Sequence, residues 1–332
     1  MLLCIVLVFI LTGAAIGAGV YFNRPLSEST GETFTIERGS SVAAIAHRLE
    51  EREIIRSSLF FMTLTRIFNT QGNLQAGNYY IPAQSSSLQI HDLFLTGKQV
   101  LHTVTIPEGY TLSQISDVLS EAGIVDREAF LSAAEDTELL SELGIYGTSA
   151  QGYIYPDTYR FAENFPADKT LRFLVTSFWN NLSGIYPDYK KFTSEMLYNS
   201  IILASIVERE YRQADEAPYI ASVFLNRLSI DMPLQSCATV VFALTEEYNR
   251  PHPSFLTYKD LETPSPFNTY QHSGLPPAPI CNPGATALKS VFFPADTDYL
   301  FFVLKDPNDG RHYFSKTLIE HNKAKQFYIK GR

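Results

Sequence analysis

Apolar positions along the chain fall into three patterns, and each predicts a different kind of element. The first is an unbroken run. Residues 1–22 carry no charged side chain, and the next charge is Arg24. As a helix this run would reach ~33 Å, about the thickness of the hydrocarbon layer. Ala14, Ala15, Gly17 and Ala18 are small enough for a signal-peptidase site. No Lys or Arg precedes the run, however, and it exceeds the usual signal core of roughly 7–15 residues. The pattern predicts a retained transmembrane anchor over 1–22, with a cleaved signal as the alternative. Residues 23–33 are polar, contain Pro25 and Gly31, and predict a linker.

The second pattern is a duplication. Residues 34–60 align without a gap on 104–130, so that Thr35, Ile36, Gly39, Ile45, Leu49, Glu51, Ile54 and Phe60 meet Thr105, Ile106, Gly109, Ile115, Leu119, Glu121, Ile124 and Phe130. Each copy reads as a strand ending at a Gly turn, then a helix capped by Ser41 or Thr111, then a loop and a second helix. The apolar positions 42, 45 and 49, like 112, 115 and 119, mark one helical face. The first copy continues through "AGNYYIP", which suits a second strand, into a helix around 88–95. Strand–helix–helix–strand order over 34–100 resembles the LysM-like sugar-binding modules.

The third pattern fills residues 101–332. Helical spacing occupies about 171–182, 194–212 and 218–228; residues 231–294 are rich in Pro. "DYLFFVL" and "RHYFS" flank a Pro-Asn-Asp-Gly turn and predict a hairpin, and 316–329 predicts a last helix. The fold class is α+β: an anchor, a small module and a larger α+β domain that opens with the second repeat copy. Over 332 residues the formal net charge is −9, with no dense basic block, which argues against nucleic acid as a partner. Three cysteines lack metal-site spacing, and no glycine-rich phosphate loop occurs, so neither a metal nor a nucleotide cofactor is expected.

One carboxylate stands out. In "SEMLYNSIILASIVEREYR", with Ser194 as N-cap, Leu197, Ile201 and Ala204 form an apolar stripe and Glu208 is its next member. A carboxyl on a core-facing stripe is desolvated, which raises its pKa and lets it hold a proton near neutrality, as a general acid must. An exposed pairing with Arg212 is the structural alternative.

Around Glu208 the sequence reads "LASIVEREY", "ASVFLNRL", "DMPLQSCATV", "SPFNTYQHSGLPPAPICNPG" and "HYFSKTLIEHN", in that order, preceded by "TIPEGYTL" and "QGYIYPDTY". This series resembles the YceG-like endolytic murein transglycosylase family over nearly the whole chain. The resemblance implies a lytic transglycosylase with lysozyme-like helical elements. It would cut the MurNAc–GlcNAc bond of peptidoglycan glycan strands and leave a 1,6-anhydromuramyl end. It implies Glu208 as catalytic acid and base, and Asn226, Arg227, Gln235, Ser265, Asn268, Thr269, Tyr270 and Asn282 as glycan-binding residues. It also implies a single-pass place in the bacterial cytoplasmic membrane, with the catalytic domain outside and cell-wall synthases as neighbours. Two positions depart from the family's habit: Gln151 and Cys237 stand where acidic residues are common. Cys237 and Cys281 both fall in motif loops, and on an oxidising exterior they are expected to pair. A lysozyme-like hydrolase, with Asp231 as second carboxylate, and a non-catalytic glycan-binding scaffold are the alternatives.

Overall fold

The structure is a computed structural model that describes residues 12–13, 17–26, 31–97, 101–306 and 308–330. Most of the expected anchor lies outside the described residues. Among the described residues no helix is long and apolar enough to cross a membrane. The expected linker is shorter than 23–33. The Asn23 Oδ1 accepts from the Leu88 N–H at 2.9 Å. Arg56 donates to the Arg24 and Pro25 carbonyls at 3.1 and 3.0 Å. Residues 23–25 are thus bonded into the first folded unit.

The chain divides into two compact units, 1–102 with 161–163, and 103–160 with 164–332. The first contains β1 (Glu32–Ile36), α1 (Val42–Glu51), α2 (Ser58–Ile67), β2 (Gly77–Ile81) and α3 (Ser87–Thr96). β1 and β2 pair antiparallel, from Glu32 opposite Ile81 to Ile36 opposite Gly77. Their inner faces and the helices enclose Phe34, Ile45, Leu49, Phe61, Tyr79, Ile90 and Phe94. Full burial of each such side chain contributes roughly 1.5–3 kcal/mol.

The repeat's second copy consists of β3 (Leu101–Thr105), α4 (Leu112–Glu121) and α5 (Arg127–Ala134). Ser41 and Thr111 cap α1 and α4 by accepting the Ala44 and Gln114 N–H groups. The gap-free alignment holds through the first helix and the turn after it, as far as Ile55 and Val125. The second helix is capped by Ser57 in one copy and Asp126 in the other, so the offset falls by one residue. Phe61, rather than Phe60, is the buried counterpart of Phe130. A loop one residue shorter keeps the same face inward.

After α6 (Thr137–Glu142), the strand β4 (Thr158–Ala162) pairs with β3, and α7 (Ala167–Ile185) follows. The centre of the second unit is α8 (Ser194–Glu210). Its N-cap is Thr193, one residue before the expected Ser194, and it accepts from the Met196 N–H at 3.2 Å. Packed on α8 are α9 (Ala217–Ser229), α10 (Cys237–Phe242) and α11 (Ala285–Phe292). The expected hairpin is β5 (Phe301–Asp306) with β6 (Arg311–Ser315). It is tied to the start of α9, because Glu216 accepts from the His312 backbone N–H and lies 2.9 Å from His312 Nδ1. The last helix is shorter than expected: α12 (Leu318–Lys325) gives way to a π-helical turn over Gln326–Lys330.

Candidate active site

α8 positions the candidate acid. Every residue from Ile201 to Val207 is buried, so its C-terminal half is enclosed on all sides rather than along one stripe. Glu208 is the first position to emerge from that enclosure, and it is half-buried. The Gly284 N–H donates to Glu208 Oε2 at 2.8 Å, and the Tyr211 hydroxyl donates to Oε1 at 3.2 Å. Burial lifts the Glu208 carboxyl to about 7. The nearby Glu108 carboxylate pushes the same way, while the Gly284 and Tyr211 hydrogen bonds and Arg209 pull it back. Tyr211 is itself raised, by burial and then by the Glu208 charge.

Two loops close on this end of α8. The segment 280–282 runs along the helix: the Ile280 N–H donates to Ser205 Oγ, and the Cys281 thiol to the Ser205 carbonyl. Asn282 then joins three segments. Its Oδ1 accepts the Gly152 and Ile154 N–H groups, each at 2.9 Å, and its Nδ2 donates to the Tyr110 carbonyl at 2.9 Å. The Gly109 N–H donates to the Asn282 carbonyl at 3.0 Å. Arg209 completes the frame through the Gly109 carbonyl. Gln151 is buried, and its side chain accepts from the Leu112 N–H at 2.8 Å, so an amide suits a position where a charge would be desolvated.

Most of the residues expected to bind glycan make hydrogen bonds within the protein. Asn282, Asn268 and Thr269 are almost wholly buried. Asn268 donates to the Leu261 and Thr263 carbonyls and accepts from the Tyr270 N–H. Thr269 binds the Ser236 N–H and the Thr239 hydroxyl. Ser265 donates to Glu247. Asn226 holds the Thr297 and Tyr299 carbonyls. Arg227, expected to meet a carboxylate of the substrate, is buried on the Leu300 and Leu234 carbonyls and stacks over Phe301. Each of these six thus has polar atoms engaged by protein partners, and Asn226 is half-buried while the other five are buried. Gln235 is exposed and Tyr270 half-exposed, so these two remain available.

The bridge expected between Cys237 and Cys281 is absent, and both thiols are free. Cys281 is buried against α8, whereas Cys237 is exposed and lies 3.2 Å from the Tyr270 hydroxyl. Glu210 is no bystander: its carboxyl accepts from Ser236, burial raises its pKa, and Arg227 opposes that rise. Asp231, the second carboxylate of the hydrolytic alternative, is exposed beyond the end of α9. The carboxylate that does stand beside Glu208 is Glu108. It lies within the quoted "TIPEGYTL" motif, yet one hundred residues from Glu208, a separation that sequence spacing cannot convert into a contact.

With this geometry in place, comparison with known proteins gives a consistent set of relatives. The sequence pattern of the YceG-like family matches residues 34–327. The endolytic murein transglycosylase of Bacillus subtilis is 31% identical, over 97% of this chain and 92% of its own length. That of Streptococcus pneumoniae serotype 2 is 27% identical, over 96% of this chain and 64% of its own length. A yceG-like protein of Listeria monocytogenes, known from its crystal structure, is 34% identical with a TM-score of 0.59, over 88% of this chain and 98% of that one.

Proposed function

This chain belongs to the YceG-like family, and we propose that it is an endolytic murein transglycosylase, a lyase that cuts the MurNAc–GlcNAc bond of nascent glycan strands. The observation that carries the assignment to a residue is the half-buried Glu208, whose carboxyl is lifted to about 7. At neutral pH such a group both holds and releases a proton. The Gly284 N–H occupies Oε2 and fixes the carboxyl's orientation, and Oε1, which accepts only the longer bond from the Tyr211 hydroxyl, exchanges the proton. Glu208 protonates the glycosidic oxygen, and the bond to the muramyl anomeric carbon breaks. The resulting carboxylate takes the proton of the C6 hydroxyl, whose oxygen closes on the anomeric carbon. One carboxyl returns to its starting state, and no water is consumed.

The uncharged run 1–22 serves as a retained single-pass anchor, with 34–332 on the outer side of the cytoplasmic membrane and cell-wall synthases as neighbours. The strand–helix–helix–strand unit acts as a LysM-like contact for the same glycan. Gln235 and Tyr270 are the binding residues of choice, because both keep exposed surface.

The test is incubation of the full chain, in detergent, with isolated murein. Anhydromuramyl ends are expected. Reducing muramyl ends would indicate a hydrolase, a reading that the proximity of Glu108 favours, since a retaining hydrolase needs a second carboxylate ~5 Å away. Unchanged glycan would indicate a binding scaffold. Glu208→Gln is expected to lower product release at least ~10²-fold with the fold intact. Glu195→Gln, exposed in the first turn of α8, is the matched control and keeps activity.

A further inference from the structure

Glu108 and Glu208 meet at one glycine. A Cβ placed on Gly284 would lie 1.9 Å from Glu108 Oε1, while the Gly284 N–H donates to Glu208 Oε2 at 2.8 Å. The next residue, Gly109, has φ +75, and a Cβ there would lie 3.7 Å from Glu208 Cγ. The positive φ of Gly109 disfavours a side chain there, and the Glu108 carboxyl lies where a Gly284 side chain would begin, so the two carboxylates approach along bare backbone. The approach is also fixed. Gly109 N–H to Asn282 carbonyl and Asn282 N–H to Tyr110 carbonyl pair the Glu108 loop with the 282–284 loop, at 3.0 and 2.9 Å. Arg209 Nη1 holds the Gly109 carbonyl from the α8 side.

We propose that Glu108 is a positioning residue for Glu208, a negative charge carried beside it on a backbone-paired loop that keeps the catalytic proton in place before the bond breaks and strengthens the carboxylate as a base afterwards. The inference rests on Glu208 being the acid and base. Two neighbouring carboxylates do not both ionise cheaply, so the buried one keeps its proton to higher pH. Once that proton has gone to the glycosidic oxygen, the same repulsion favours taking a proton from the C6 hydroxyl. The other groups facing Glu208 are Arg209, which works against Glu108, the Tyr211 hydroxyl, and the buried Cys281 thiol, whose pKa is raised well above the ordinary range. Tyr155 faces Glu108 from the remaining side, and burial followed by the Glu108 charge raises it.

The experiment compares full-length protein in detergent with Glu108→Gln and Glu108→Asp. Anhydromuramyl release from isolated murein is followed against pH, and the Glu208 carboxyl is titrated by ¹³C NMR, its signal assigned by loss in Glu208→Gln. In Glu108→Gln the alkaline limb and the NMR midpoint are both expected to fall by roughly half to one pH unit, the effect of one partly solvated like charge a few ångströms away. Glu108→Asp keeps the charge and stays near the native midpoint. Glu108 is exposed, so the melting temperature of either variant should stay native. A Glu208 midpoint unmoved in Glu108→Gln overturns the proposal, whether activity is kept or lost, because the NMR reading does not depend on turnover. A fully active Glu208→Gln would instead overturn the assignment of Glu208 as the acid.

Discussion

At the scale of single residues, the placement of Glu208 costs stability in a pH-dependent way. Its folded pKa is about 7, above the ordinary carboxyl value, so folding binds a proton between those limits. The stabilising contribution is complete below the unfolded pKa and is lost as pH rises through 7. Glu208→Gln has no such charge to desolvate. Its stability relative to the native chain is therefore expected to rise between pH 4 and pH 8, by at most about 3 kcal/mol, the equivalent of the full shift. Thermal unfolding at both pH values measures this. A constant difference across the range would mean that Glu208 is solvated and paired at the surface, the structural alternative weighed from the sequence. Activity carries the same sign: product release declines as pH passes 7, because the acid form is depleted.

At the scale of elements, what the sequence reveals depends on whether a pattern is local. The repeat's helices, their Ser41 and Thr111 caps and the α8 helix follow from spacing within one turn or two. Glu208 was legible for the same reason, although the stripe understates its surroundings. A helix buried on all sides has little periodicity to read, and α8 is such a helix from Ile201 to Val207. The Asn, Ser and Thr motif residues were legible as a set but not by role. The same side chains satisfy buried backbone in loops and sugar hydroxyls in clefts, and only tertiary burial separates the two uses. Asn282 shows the scaffold use most fully. Its removal in Asn282→Ala would strand the buried Gly152 and Ile154 N–H groups, each costing about 1–3 kcal/mol when left unpaired, while the Tyr110 carbonyl keeps the backbone N–H of residue 282. We expect a loss of at least about 2 kcal/mol in urea unfolding, together with lower activity, because the 152–154 segment loses its side-chain link to the 282–284 loop. The duplication supplies a second prediction. Glu53 and Gly123 occupy the same turn after α1 and α4, with φ +54 and +69. Only the second copy uses the residue suited to that region. Glu53→Gly is expected to stabilise the first unit by about 1 kcal/mol, read from its denaturation midpoint.

At the scale of the whole molecule, the first unit carries a core of its own, and the stem that precedes it is fastened to it. Phe22 packs against Phe60 with ring centroids 6.1 Å apart, its carbonyl accepts from Ser87 Oγ, and Asn23 caps the start of α3 through the Leu88 N–H. These bonds lie downstream of Gly19 and stay with the chain whether residues 1–18 are retained or cut away. If residues 1–22 are retained as a single-pass anchor, a stem fixed at residues 22–25 sets how far from the bilayer the first unit is held. As a helix the uncharged run 1–22 would reach ~33 Å, enough to span the hydrocarbon layer. Removing that many apolar side chains from lipid costs far more than peripheral attachment can supply. The full chain is therefore expected to remain in the membrane fraction after alkaline carbonate washing and to leave it only with detergent. Mass analysis of the extracted protein should find a chain that still begins at Met1. A mature chain starting near Gly19, recovered in the soluble fraction, would replace the anchor with a cleaved signal and leave Phe22 as part of a free amino-terminal stem.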